Sequence, residues 1–197
     1  MARPRQYDYE ALRSASIEAA RQLLEEGGPT ALTARALAQA VGTTPGTIYN
    51  LFDGMNAVLL EVNRMGFIDL ARAVDAIPPG QDSREWLVAM ADTYVDFVVE
   101  RPEVWRGLFE GPRVTDQFPA WYTGMIEALI DRVALPIRAL EPRTDARLLA
   151  EELLVSVHGV VSLSASSRLD LLTRQEPHQL AHRMIDRLIA SIKSGAA

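Results

Sequence analysis

The chain contains no cysteine, which excludes disulfides, a cysteine-ligated zinc site and a thiol nucleophile. Lysine is nearly absent too: Lys193 stands alone beside nineteen arginines. No apolar run approaches the ~18 residues of a membrane span. The opening Met-Ala-Arg-Pro-Arg-Gln lacks the apolar stretch of a secretory signal. Together these lead to the expectation of a cytoplasmic protein with no membrane partner. Strand alternation and Asn-Gly or Asp-Gly hairpin signals are missing. So are a phosphate-binding loop, a dinucleotide fingerprint and a nucleophile elbow. The run holding Ser162, Ser164, Ser166 and Ser167 has no elbow glycine pattern and no strand before it. Acid pairs such as Glu151-Glu152 sit at ordinary solvated helix positions. No catalytic residue, metal site or cofactor is expected, and the chain does not read as an enzyme.

An excess of positive charge is also lacking. The net charge is −6 over 197 residues, and the first 56 residues carry five arginines against six acids. Each counterion released from a nucleic acid requires a basic contact, so non-specific electrostatic affinity should be modest. Any case for DNA must rest on local geometry.

What the chain does have is helical periodicity throughout, and the expected fold class is all-α with about nine helices. Apolar positions Leu12, Ala15, Ala19 and Leu23 predict a helix over 9–26, ended by Gly27-Gly28-Pro29. Short helices follow over 33–40 and from Thr44-Pro45 to about Phe52, with threonine as N-cap and proline at the first helical position. A long helix over 54–77 is stopped by Pro78-Pro79-Gly80. Further helices are expected over 83–100, 103–110, 118–140, 143–169 and 176–193. Pro136 lies inside one of these and should kink or split it. The expected organisation is a helix-turn-helix domain over 1–52 and a second helical domain over 53–197.

The two short helices, joined by Val41-Gly42-Thr43-Thr44, have the short glycine-containing turn of a DNA-binding helix-turn-helix. In that motif the first helix braces the second, whose N-terminal end enters the major groove. Ile48, Leu51 and Phe52 can face the core, leaving Thr43, Thr44, Pro45, Gly46, Thr47, Tyr49 and Asn50 outside. Small residues permit close approach. Threonine methyls can touch thymine methyls and Asn50 can bond adenine, while Tyr49 offers a phosphate its hydroxyl. Arg3 and Arg5 could form a minor-groove arm.

These residues resemble the tetracycline-repressor (TetR) family of regulators. The stretch Leu32-Thr33-Ala34-Arg35-Ala36-Leu37-Ala38-Gln39-Ala40-Val41-Gly42, then Thr47-Ile48-Tyr49-Asn50-Leu51-Phe52, follows the family pattern without a gap. The resemblance covers about residues 9–62 closely. It implies that Thr33 and Tyr49 hold phosphates and that Arg35 and Thr44 to Thr47 read bases. Leu51 stands where the family often has histidine, and Met55 where it usually has lysine. Both family residues commonly touch phosphate, so salt dependence should be weaker. The segments Glu100–Glu110 and Val157-His158-Gly159 resemble a family branch with Trp-His-Gly in its C-terminal domain, with Val157 in place of the tryptophan.

The second half carries Trp86, Met90, Tyr94, Phe97, Trp105, Phe109, Trp121, Tyr122 and Met125, besides Phe118. Singly these read as core. Together they can line an apolar cavity between helices, and the resemblance implies a pocket whose unknown small-molecule effector alters DNA affinity; His158, in an apolar run, reads either as a satisfied buried histidine at an interface or as a ligand contact. His178 and His182 are spaced i, i+4 but read as a polar face. Ser156, Gly159, Val160, Leu163, Ile185, Leu188, Ile189 and Ile192 look like a dimer surface, where the family places its two-fold interface, with packing inside the chain as the alternative. The expected partners are double-stranded DNA with a palindromic operator, a second copy of the chain and the effector. The expected mechanism is a repressor dimer whose long helix 54–77 moves as a lever when a small apolar or amphipathic ligand binds. The rivals are a helical enzyme and a helical interaction or ligand-binding protein that has lost specific DNA binding.

Overall fold

In the computed structural model, which describes residues 8–78, 82–109 and 118–195, the Asp8 carboxylate starts the first helix. It accepts the Ala11 N–H at 3.2 Å, satisfying one of the free donors at the start of α1, Tyr9–Gly27. The helix ends at Gly28, whose φ of 67° lies in the left-handed region that glycine adopts readily. The same capping logic starts α2, Ala34–Ala40, at Thr33 and α3, Pro45–Leu51, at Thr44. There follow α4, Gly54–Asp75, α5, Ser83–Glu100, α6, Pro102–Phe109, α7, Ala120–Leu140, α8, Ala146–Ala165, and α9, Pro177–Ser194. Among the described residues there is no strand, so the all-α expectation holds.

Residue packing divides the described chain into two units, one of residues 8–66 and 103–109, the other of residues 67–78, 82–102 and 118–195. In the first unit one apolar cluster joins Ala20 and Leu24 of α1, Leu37 and Ala38 of α2, Ile48 and Phe52 of α3, and Val58, Leu59 and Val62 of α4. The expected domain boundary after Phe52 falls between α3 and α4, but this core continues well into α4. Arg13 reinforces it from α1. Its guanidinium bonds Glu61 at 2.7 Å and lies 5.1 Å from the centre of the Phe52 ring, holding the residue that ends α3.

In the second unit α8 packs on α7 and α9, and α5 packs on α9, α7 and α8. Leu87, Val95 and Val98 of α5 are fully enclosed, as are Ile137 of α7, Val161 of α8 and Ile185 of α9. Polar pairs fix the register of α5 against α9: Arg84 bonds Asp186 at 2.7 Å, Asp92 meets His182 at 2.6 Å, and Asp96 meets His178 at 2.9 Å. The Arg84 guanidinium holds the Asp186 carboxyl below the usual carboxylate range. By length and composition α8 is long and apolar enough to cross a membrane, although charged and polar residues interrupt its apolar run. Its Leu149, Leu153, Val157 and Val161 are instead buried against protein.

Two expectations about helix ends and breaks need correction. Pro136 does not split α7, which is α-helical from Ala120 to Leu140. Proline removes a single backbone donor, and burial of Ile130, Ala134 and Ile137 holds the helix on both sides of it. The helix expected over 143–169 is shorter, because Ser167 turns into the left-handed region at φ 53°. The Arg168 N–H then reaches back to the Leu163 carbonyl at 2.8 Å, closing the C-terminus as a glycine-ended helix would.

Candidate nucleic-acid interface

The geometry of the reading head begins with the turn between α2 and α3. Gly42 has φ 69° with no atom within 4 Å of where a Cβ would stand, so backbone conformation alone calls for glycine there. The Thr43 N–H then donates to the Ala38 carbonyl at 2.8 Å, folding the turn back on α2. Thr44 caps α3 by accepting the Thr47 N–H at 3.2 Å, and the hydroxyls of Thr44 and Thr47 lie 3.0 Å apart in a shared hydrogen bond. On α2, the Thr33 hydroxyl accepts the Ala36 N–H at 3.1 Å.

Ile48 and Phe52, one helical turn apart, put one edge of α3 into the core. The other edge is open. Thr44, Pro45, Gly46, Tyr49 and Asn50 are exposed, as are Thr33 and Arg35 on α2, and Tyr49 is 56% accessible despite its large ring. Thr47 is half-buried. A Cβ at Gly46 would meet nothing closer than the Thr44 hydroxyl at 3.8 Å, so this end of the helix is thin. A helix about 10–12 Å across matches a major groove about 12 Å wide. The outward groups offer one guanidinium, one phenol, one amide and the partly positive N-terminus of α3, a set suited to phosphate and base edges.

Thr43 departs from the expectation. Its hydroxyl oxygen is buried and finds no partner among the described residues, although the residue as a whole is half-buried. Arg3 and Arg5 lie outside the described residues.

In the second unit Met90, Tyr94, Phe97 and Tyr122 are buried, while Trp86, Trp121, Met125 and His158 are half-buried. Tyr122 gathers the aromatics: Phe67 meets it edge-on at 5.2 Å, Phe118 stacks on it at 4.5 Å, and Trp121 lies at 5.6 Å. Burial pushes its phenol pKa up. The Tyr94 hydroxyl lies 2.7 Å from Nδ1 of His158, so that histidine is a satisfied polar group within an apolar setting. Trp105 is fully buried but groups with the first unit, which corrects its placement in the second-half cluster. The Phe109 side chain lies outside the described residues.

The expected dimer surface divides in two. Val160, Ile185, Ile189 and Ile192 are buried within the single chain, so their side chains serve its own core. Periodicity identified the apolar stripe of α9 but not what covers it. Ser156 and Gly159 are exposed and Leu163 and Leu188 half-exposed. Leu148 and Val155 extend that open face of α8, being 50% and 72% accessible. Sequence reasoning omitted both. Their i, i+7 spacing, with Gly159 one helical turn beyond, was the available signal. Among the described residues no three of His, Asp and Glu cluster as a metal site would require. Instead His178 and His182 each pair with an aspartate of α5.

Residues 17–62 match the family model described as bacterial regulatory proteins, tetR family. Residues 87–188, about half the chain, match the tetracyclin repressor-like C-terminal domain. Solved structures share the fold. A protein of unknown function from Rhodococcus sp. RHA1 superposes with a TM-score of 0.76 at 19% identity, covering 96% of this chain and 98% of that one. A TetR transcriptional regulator from the same organism gives 0.69 at 16% identity, covering 94% and 99%. The TetR family transcriptional regulator PfmR from Thermus thermophilus gives 0.60 at 21%, covering 89% and 97%. No curated protein matches the chain.

Proposed function

As a member of the tetR family of bacterial regulatory proteins this chain is a DNA-binding transcriptional regulator, and we propose that it represses as a homodimer on a palindromic operator until a small ligand releases it. The observation that carries this reading is the outward edge of α3, where Thr44, Pro45, Gly46, Tyr49 and Asn50 are exposed while Ile48 and Phe52 anchor the opposite edge. Arg35 and Thr33 lie on the preceding helix, placed to meet backbone and bases beside it.

The second copy would dock through the open face of α8, Leu148, Val155, Ser156 and Gly159, with Leu163 and Leu188 at its margin. Two-fold symmetry then presents two α3 helices to successive major grooves about 34–36 Å apart. An apolar or amphipathic effector would sit among Met90, Tyr94, Tyr122 and Met125, with the Tyr94–His158 pair as its polar contact. It releases DNA only if it binds one spacing of the α3 helices better than the other. α4 is one helix running through both units, which favours it as the element that carries this change. Such a regulator acts in the cytoplasm and needs no catalytic group.

The test is fluorescence anisotropy with the DNA upstream of the protein's own gene. Arg35→Ala and Tyr49→Phe should each weaken binding about three- to tenfold, with an intact fold by circular dichroism. Specific binding that neither substitution alters would refute the assigned face. Salt-sensitive binding without sequence preference would favour an interaction protein that has lost its operator.

A further inference from the structure

α3 has seven residues, about 10 Å of helix. A helix this short does not fix its own direction; the seat of its apolar edge does so. Ile48 anchors the middle of that edge and Phe52 its end. Phe52 is also where the chain leaves the helix. Its backbone turns extended, at φ −136° and ψ 143°, and its N–H donates to the Ile48 carbonyl at 3.0 Å. The exposed Thr44, Pro45 and Gly46 lie at the opposite end. A tilt of about 10° about the Phe52 end would carry that tip sideways by about 2 Å. Hydrogen bonds to base edges tolerate only a few tenths of an ångström, so such a tilt is enough to lose them.

One side chain holds that end from outside the helix. The Arg13 guanidinium of α1 lies over the Phe52 ring, 5.1 Å from its centre, within reach of the negative aromatic face. The same group donates from Nη2 to Oε1 of Glu61 at 2.7 Å, a short charge-assisted bond to α4. The Arg13 and Glu61 side chains are 34% and 23% accessible, so water screens this pair less than one on the open surface. Arg64 approaches the other Glu61 oxygen only loosely, at 4.0 Å. A flat guanidinium can cover a ring with its face while its edge bonds a carboxylate, and an ammonium cannot do both. Arg13 thus joins α1, the end of α3 and α4 at one point. Its charge is engaged by Glu61, whereas the exposed Arg35 of α2 makes no ion pair among the described residues.

We propose that Arg13 is a positioning residue for operator recognition: through Phe52 and Glu61 it sets the direction of α3 without itself touching DNA. The assignment rests on α3 being the helix that reads the operator. Losing the guanidinium frees the Phe52 end. Contacts to bases, which need close placement of the tip, then suffer more than contacts to phosphates, which repeat along the duplex whatever its sequence.

Anisotropy titrations of the full chain, across a salt series, compare the DNA upstream of its own gene with a scrambled duplex of equal length. Arg13→Met should weaken upstream binding about tenfold and scrambled binding less than about twofold, with the salt slope unchanged. Glu61→Gln should act in the same direction, and the double variant should be no weaker than Arg13→Met alone. Arg13→Lys keeps a bond to Glu61 but not the flat cover on Phe52, and should recover only part of the loss. A head that merely unfolds more easily loses both duplexes by the same factor, and a lost phosphate contact lowers the salt slope by about one. Either result, or additive effects of the two substitutions, overturns the proposal and leaves the α3 face standing. Wild-type protein that binds both duplexes equally would overturn the reading of α3 together with it.

Discussion

Arg132 holds both carboxylate oxygens of Asp75, Nε to Oδ1 at 2.6 Å and Nη2 to Oδ2 at 2.8 Å. This two-point contact ties α7 to the last turn of α4 within the second unit. The guanidinium's hydrogen bonds keep the Asp75 carboxyl below the usual carboxylate range. A carboxyl that is more acidic folded than unfolded adds stability above the ordinary aspartate value of about 3.9. That contribution disappears as pH falls through the lower folded value. The pair is largely solvent-exposed, so its worth is no more than about 1 kcal/mol. Asp75→Asn should therefore lower the urea midpoint slightly at pH 7 and by less at pH ~3, below the ordinary aspartate value. An equal loss at both values would mean that packing, not charge, is responsible.

The cap of α3 yields a second expectation. Thr44→Ala removes the acceptor for the Thr47 N–H and should cost about 1 kcal/mol in chemical denaturation. Thr44→Asn restores a capping oxygen and should recover most of that stability. If the asparagine form is as stable as the wild type yet binds DNA more weakly, Thr44 has a part in reading beyond the cap. If it regains both, the cap is the whole of its role.

Ser167 is the one non-glycine residue with positive φ among the described residues. Glycine adopts that conformation without the steric penalty of a Cβ. Ser167→Gly should raise stability by about 0.5 kcal/mol, because glycine's larger unfolded-state entropy offsets part of the relief. In a chain of this size that is a thermal shift of about 1–2 °C. A fall in melting temperature would show that the serine side chain holds the end of α8 in place.

Helix starts were legible because caps are local. Thr33 and Thr44, read as caps from type and spacing, each bond a backbone N–H three residues ahead, and Asp8, Asp82 and Asp145 cap in the same way without having been singled out. Contacts between distant segments were not legible. Arg13 and Glu61 are 48 residues apart, Arg132 and Asp75 are 57, and Arg84 and Asp186 are 102, and no window of sequence holds both partners. The open edge of α3 followed from where Ile48 and Phe52 fall on the helical repeat. The buried hydroxyl of Thr43 did not follow, because the residue sits in the turn, where that repeat does not apply. The burial of the α9 isoleucines in the chain's own core was not legible for another reason. Burial in one's own core and burial against a second copy leave the same apolar stripe.

The apolar cluster that supports α3 draws on Val58, Leu59 and Val62, well inside α4. A cut in the Asp53 loop, the natural place to transplant this reading head onto another regulator, would therefore strip away one wall of its support. A graft that keeps the head whole has to splice within the body of α4, beyond Val62, and preserve the phase of that helix across the join.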